Sequence, residues 1–271
     1  MFVANDWHAA MVPVYLASRF RPHGVYRGAR TVAAIHNLIH QGVFPPSTFA
    51  ELGVPGDWYG AMEWQYPPHQ RMGSYEEEGR AINTLKAALT TADRIVTVSP
   101  GYAWEITTPE GGCGLETLLG SRSYVLDGVL NGVDVEEWSP ATDKHLYKRY
   151  TAATVAEGKA ANKAALQKEL GLPVDAGAPL FAFIGRLDPQ KGADLVLAAA
   201  PWLVAQGAQV VLLGSGDPRL EAGLRGLEAA HPAAARAWVG FNVPFSHRLT
   251  AAADVLLMPS VFEPCGLNQM Y

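Results

Sequence analysis

Between positions 183 and 192 the sequence reads Phe-Ile-Gly-Arg-Leu-Asp-Pro-Gln-Lys-Gly, an apolar run that gives way to two cations, Arg186 and Lys191. A strand end, two positive side chains and a helix start at about Ala193 are expected to converge there. Free backbone N–H groups at a helix N-terminus, the helix dipole and the two cations would suit a diphosphate. Gly185 and Gly192 would allow close backbone approach. The same residue types also make an ordinary strand-to-helix turn whose Arg and Lys pair with surface carboxylates, and the segment alone does not choose.

Four further segments gather polar groups at the predicted edges of sheets. Leu213-Gly-Ser-Gly-Asp-Pro218 could accommodate a nucleotide, but it is also common turn chemistry with Asp217 as a helix N-cap. Near the C-terminus, Met258-Pro-Ser-Val-Phe-Glu-Pro-Cys-Gly-Leu-Asn-Gln-Met-Tyr271 sets Glu263 and Cys265 in a loop before a helix, with Gly266, Leu267 and Asn268 as backbone donors. A lone carboxylate there is more often a cap than a catalytic group; the adjoining Pro and Cys weigh against a plain cap. Asn5-Asp6-Trp7-His8-Ala9 opens a helix and Ala34-Ile-His-Asn-Leu-Ile-His-Gln-Gly42 closes a strand. Asp6 could serve only as a cap, and His36 could be a buried imidazole bonded to backbone. His36 and His40 follow a strand without a carboxylate to complete a metal triad, so no metal is expected.

The elements that must hold these groups alternate. After Lys163, β-rich runs (180–184, 210–213, 238–241, 255–258) are separated by helical patterns (194–204, 218–230, 247–253), as in a parallel, doubly wound sheet. The first half predicts a helix over 7–19, a strand over 31–35, a helix over 79–92 and a strand over 94–98. A long loop, 42–75, rich in Pro, Trp and Tyr, is expected to cover a cleft. Residues 131–150 lack periodicity, and the domain boundary falls there, followed by a helix over 156–170. Ligands in such sheets bind at the carboxyl ends of strands.

Composition narrows the function. The chain has 271 residues, 49% of them apolar, with 21 basic against 26 acidic side chains. There is no run of like charge to attract nucleic acid or an anionic membrane, and no apolar stretch of spanning length. Its two cysteines, Cys113 and Cys265, suggest neither a disulfide framework nor a Cys-based metal site, which fits a reducing compartment. No Gly-x-Gly-x-x-Gly opens the first helix of either half, which argues against a nicotinamide-dependent oxidoreductase.

Taken jointly, Asn-Asp-Trp-His-Ala, His-Asn-Leu-Ile-His-Gln-Gly, Ala-Asp-Arg-Ile-Val-Thr-Val-Ser, Glu-Gly-Gly-Cys-Gly-Leu, Asn-Gly-Val-Asp, Gly-Arg-Leu-Asp-Pro-Gln-Lys-Gly and Phe-Glu-Pro-Cys-Gly-Leu-Asn-Gln resemble the starch and glycogen synthases over nearly the whole chain. Pro22-His-Gly-Val-Tyr26, Pro46-Ser-Thr-Phe and Trp58-Tyr-Gly-Ala-Met-Glu-Trp64 are most similar to the class I soluble starch synthases of plants and green algae. The resemblance implies an α/β fold of GT-B type, two Rossmann-like doubly wound domains facing a cleft and both incomplete. Residues 1–140 would be part of the N-terminal, acceptor-side domain, and 141–271 a linker and part of the C-terminal domain that takes ADP-glucose. It also implies transfer of glucose from ADP-glucose to the non-reducing end of an α-1,4-glucan with retention, without metal or cofactor. Plastid location and association with other starch enzymes follow by the same route. Arg186, Lys191, Glu263 and His36 would carry catalysis. Asp6, Asn131, Gly185, Cys265, Gly266 and Leu267 would bind substrate. Alternatives are a bacterial-type glycogen synthase, or a non-catalytic glucan-binding or assembly protein on the same scaffold.

The sequence departs from the family's pattern in several places. A Lys-Thr-Gly-Gly-Leu loop and a later Thr-Gly-Gly-Leu loop are absent, which implies that this chain alone would not turn over. Val261 replaces a frequent Arg; Tyr271 stands eight after Glu263, where the wider retaining pattern has a second glutamate but starch synthases commonly have Tyr.

Overall fold

The structure, a computed structural model, describes residues 1–65 and 79–271. Its contacts form two compact units, Met1–Asn131 and Gly132–Tyr271.

In the first unit, strands β1 (Phe2–Asn5), β2 (Thr31–Ile35), β6 (Arg94–Thr97) and β7 (Leu126–Gly128) form a wholly parallel sheet in that order. A small antiparallel sheet, β3 (Val43–Phe44), β5 (Arg80–Asn83) and β4 (Glu63–Gln65), stands beside it, in the order β3-β5-β4. Short helices α1 (Met11–Tyr15), α2 (Tyr59–Met62), α3 (Thr84–Thr91), α4 (Pro100–Glu105) and α5 (Glu116–Ser121) complete the unit. The helix expected over 7–19 is present as three pieces: a 3-10 turn, α1 and a π-helical turn Leu16–Phe20. The helix expected over 79–92 is shorter than its apolar stripe suggested. Residues 80–83 pair as a strand, and Asn83 caps α3 by accepting the Lys86 N–H at 2.9 Å. The expected open loop 42–75 contains β3, two 3-10 turns, α2 and β4; Phe44, Phe49, Leu52, Trp58 and Tyr59 pack around buried Val14, Met62, Ile82 and Ala87. Its last part, 66–75, lies outside the described residues.

The second unit opens with α6 (Val155–Glu169) and then alternates: β8 (Leu180–Ile184), α7 (Ala193–Ala205), β9 (Gln209–Gly214), α8 (Pro218–Ala230), β10 (Ala235–Val239), α9 (Val243–Ala252), β11 (Val255–Leu256) and α10 (Leu267–Met270). The sheet order is β10-β9-β8-β11, all parallel. Side chains alternate across it as a two-residue period requires. Leu180, Ala182, Val211 and Leu213 pack with Leu166 of α6 and Phe245 and Leu249 of α9. Phe183, Val210 and Leu212 pack with Val196 and Ala200 of α7 and Leu224 and Leu227 of α8. Helices therefore cover both faces. The crossover from β8 goes to β9 on one side, while β11 joins on the other, so the strand order reverses at β8. A crevice is expected at the carboxyl ends of β8 and β11.

The sequence placed β10 at 238–241 and α9 at 247–253; both begin earlier. Arg236 and Ala237 continue the ladder with Val211 and Leu212, and Asn242 caps α9 through the Phe245 N–H at 3.0 Å. By contacts the two units divide between Asn131 and Gly132, at the start of the aperiodic 131–150 segment. Trp138 belongs to the second unit because its ring stacks on His247 and Tyr271.

Candidate active site

The loop after β8 is built by its own sequence. Asp188 caps the 3-10 turn Pro189–Lys191 by accepting the Lys191 N–H at 3.0 Å. Gly192 then turns into α7 with φ of 67°, and a Cβ there would lie 2.2 Å from the carbonyl oxygen of Pro259. Only glycine lets this loop press so closely on the loop after β11. The two loops are joined further by Val261 N–H to Gln190 O at 2.8 Å and by Gln190 Nε2 to Phe262 O at 3.3 Å.

This docking brings two of the expected catalytic groups into contact. Lys191 Nζ is 2.6 Å from Glu263 Oε1, and Ser260 Oγ donates to the same oxygen at 2.6 Å. Both charged side chains are largely shielded. Arg186 is exposed. Its guanidinium meets Asp188 at 3.2 Å and Gln190 Oε1 at 3.4 Å, and Gln190 in turn bonds the Phe262 carbonyl next to Glu263. Both cations thus have carboxylate partners, as the bland turn reading anticipated, but Glu263 comes from the other side of the switch point.

A pocket of about 410 Å³ opens beside this cluster, walled by the strand ends. Gly185 and Arg186 follow β8, Gly214 ends β9 and Ser215 follows it, Phe241 and Asn242 follow β10, and Trp138 and Tyr271 close another side. Gly214 is required by close approach: a Cβ there would meet the Gly185 carbonyl oxygen at 2.2 Å. Lys191 and Glu263 do not wall this pocket. Cys265, Gly266 and Leu267 lie on the turn into α10, half-buried or buried. The neighbouring Asn268 donates to Ile184 O at 2.8 Å and fixes that turn to the end of β8. Asp217 caps α8 through the Arg219 N–H at 2.7 Å.

In the first unit, Asp6 directly follows β1 and His36 directly follows β2. Asp6 Oδ1 accepts the His36 backbone N–H at 2.8 Å, and Asn5 Oδ1 lies 2.9 Å from His36 Nε2. Asp6 therefore spends its carboxylate across the sheet edge, not as a cap, and it holds a positive φ of 50°. His36 is exposed and is not a buried core imidazole. Asn131, three residues beyond β7, is exposed at the same carboxyl edge. Behind this edge, the Tyr102 hydroxyl accepts the Leu38 N–H at 3.0 Å, and burial pushes its pKa up to about 12.

Sequence reading missed the side chains of Asn5, Ser215, Ser260 and Gln190, and took Asn268 only as a backbone donor. Each is a small or amide side chain common in turns, and only the pairing of loops distant in sequence gives it a role.

Residues 1–121 match the family described as starch synthase catalytic domain, and residues 178–270 match glycosyl transferases group 1. The whole chain is 57% identical to soluble starch synthase 1, chloroplastic/amyloplastic, of Oryza sativa subsp. japonica, of which it covers 42%. The chain belongs to the starch synthase family. Starch synthase 1 of Arabidopsis thaliana is 54% identical over the whole chain, with 41% of that protein covered. Among solved structures, the catalytic domain of starch synthase IV from Arabidopsis thaliana, bound to ADP and acarbose, superposes with a TM-score of 0.84 at 35% identity. That match takes in 99% of this chain and 53% of the other. The fold is accordingly the GT-B α/β fold of starch synthase catalytic domains. The chain spans less than half the length of the curated relatives it matches.

Proposed function

We propose that the protein is a starch synthase that transfers glucose from ADP-glucose to the non-reducing 4-hydroxyl of an α-1,4-glucan with retention. The observation that carries this is the Lys191–Glu263 contact at the switch point of a parallel sheet, next to a pocket walled by Arg186. An ammonium has three donors; Lys191 spends one on Glu263 and keeps others for phosphate oxygens. With Arg186 it would offset the charge that grows on departing ADP, which is electrostatic stabilisation by fixed cations. Glu263, held through Oε1 by Lys191 and Ser260, would present its other oxygen to hydroxyls of the donor glucose. Gly185, Cys265 and the backbone of Gly266 and Leu267 would complete the donor site. In the first unit, Asp6, His36 and Asn131, at the carboxyl edge of its sheet, are proposed as substrate-binding groups on the family resemblance.

On the favoured one-face route, the C1–oxygen bond to the β-phosphate breaks and the acceptor 4-oxygen bonds to C1 on the same face. The acceptor's proton passes to a β-phosphate oxygen of ADP. The relatives named chloroplastic/amyloplastic support a plastid location, and association with other starch enzymes is proposed on the same family ground.

The test is a chimera in which this chain replaces the matching segment of the rice relative. Incorporation of glucose from labelled ADP-glucose into maltoheptaose is expected. A folded chimera that binds glucan but incorporates none would favour the non-catalytic alternative and contradict the proposal.

A further inference from the structure

His247 of α9 is a buried polar group with no part in the chemistry above: it is 1% exposed. Its Nδ1 lies 2.6 Å from Oδ2 of Asp143, which is itself 6% exposed, and the other Asp143 oxygen accepts the His145 N–H at 2.8 Å. With a carboxylate as its partner, Nδ1 carries the proton and donates. Among the described residues Nε2 then has no hydrogen-bond partner; Glu137 Oε1 is 3.8 Å away, beyond bonding distance. A histidine kept only to fill the core would be better replaced by an apolar residue, so this one has another use.

Its ring face supplies that use. Trp138 stacks on the imidazole at 3.8 Å and 15°, and on Tyr271 at 4.0 Å and 3°. Two near-parallel rings that close cannot share one face of an indole, so Trp138 is held between them. Trp138, Tyr271 and Glu137 all wall the 410 Å³ pocket. Trp138 itself lies in a segment without helix or strand, from 129 to 151. A chain of contacts therefore runs from Asp143 through His247 and Trp138 to Tyr271 at the pocket.

We propose that His247 is a positioning residue for this pocket: bonded to Asp143, it fixes the plane of Trp138 and hence of Tyr271, and so sets how tightly the pocket holds a nucleotide. The proposal rests on the donor-site reading above. It is tested with ADP as the probe, by calorimetric titration of the chain carrying His247→Leu, His247→Gln or His247→Asn. Asparagine keeps a donor near the Nδ1 position and a planar amide to lie against the indole; glutamine moves the donor outward, and leucine removes it. Leucine and glutamine are expected to raise Kd about tenfold, roughly the loss of one good hydrogen bond. Asparagine is expected to stay within about threefold of wild type. Trp138 emission, isolated by subtraction of a Trp138→Phe spectrum, should shift in the same two variants and not in the third. If the leucine variant fails to fold, the glutamine and asparagine pair still decides. Equal affinity in all folded variants, or asparagine as weak as glutamine, overturns the proposal alone. No ADP binding by the wild-type chain overturns the donor-site reading, and this inference with it.

Discussion

Lys191 Nζ stands 2.6 Å from Glu263 Oε1 although the two are 72 positions apart, because Gly192 lets the loop after β8 rest on the loop after β11. Removing one partner strands a shielded charge. Breaking a fully buried pair costs about 3–5 kcal/mol, and the partial exposure of this one lowers the expectation to about 1–3 kcal/mol for Lys191→Met or Glu263→Gln. The double variant should recover most of that loss, as urea unfolding would show. A double variant that loses the sum of the two single effects would contradict an energetic coupling between them.

Gly192→Ala should be more damaging than its size suggests. The position has φ of 67°, and the new methyl group would face the Pro259 carbonyl at 2.2 Å. A loss well above about 1 kcal/mol is expected, since conformational strain and a backbone clash add. An unfolding midpoint equal to wild type would show that the two loops separate easily.

Asp6 joins the ends of β1 and β2 through its bond to the His36 N–H at 2.8 Å, from a backbone with φ of 50°. Asp6→Ala loses a charge-assisted acceptor and gains no relief of strain, so a loss of about 1–3 kcal/mol is expected. Asp6→Asn keeps an acceptor and tolerates positive φ. Thermal unfolding should rank asparagine well above alanine; the reverse order would place the constraint elsewhere.

Asp93 ties three segments of the first unit. It accepts the Thr31 N–H at 2.8 Å, the Thr31 hydroxyl at 2.9 Å and Arg21 at 2.9 Å. Burial alone would raise its pKa, but the Thr31 backbone bond, the Arg21 and Thr31 side chains and the Arg21 charge outweigh it and hold the carboxyl below its usual range. A lowered folded pKa means that its stabilisation is complete above the unfolded carboxyl's titration near pH ~4 and disappears as pH falls through the lower folded value. Asp93→Asn should therefore be less stable than wild type at pH 7, with the gap closing below about pH 4. A gap that does not depend on pH would contradict a charged Asp93.

The alternation of the second unit was legible because its strands are apolar runs bounded by Gly, Asn and Asp. Helix ends could be read where a cap stood in plain order, as at Asp217-Pro218. The first unit was less legible. The stripe Ile82, Leu85 and Leu89 looks helical from Gly79 onward, yet Ile82 and Ala81 face a strand partner, and Asn83, the N-cap of α3, is the local mark of the change that the stripe overrode. Arg186, Lys191 and Glu263 stood out by residue type at strand ends. Their bonding did not, because the Lys191–Glu263 contact, the Ser260 support and the Gln190 link arise only when two loops meet. The stacking of Trp138 was not legible for the same reason, since its partners His247 and Tyr271 lie more than a hundred residues away.

Arg186 offers the cleanest separation of binding from folding, because it is exposed and its substitution by alanine should change stability by no more than about 0.5 kcal/mol. Equilibrium dialysis of the chain against radiolabelled ADP measures the site directly. Saturable binding at one site per chain is expected, weakened at least about tenfold in Arg186→Ala, as for a lost charge-assisted contact to phosphate. ADP that fails to bind the folded chain, or binds the alanine variant as tightly as wild type, would contradict a sugar-nucleotide site at the ends of β8 and β11.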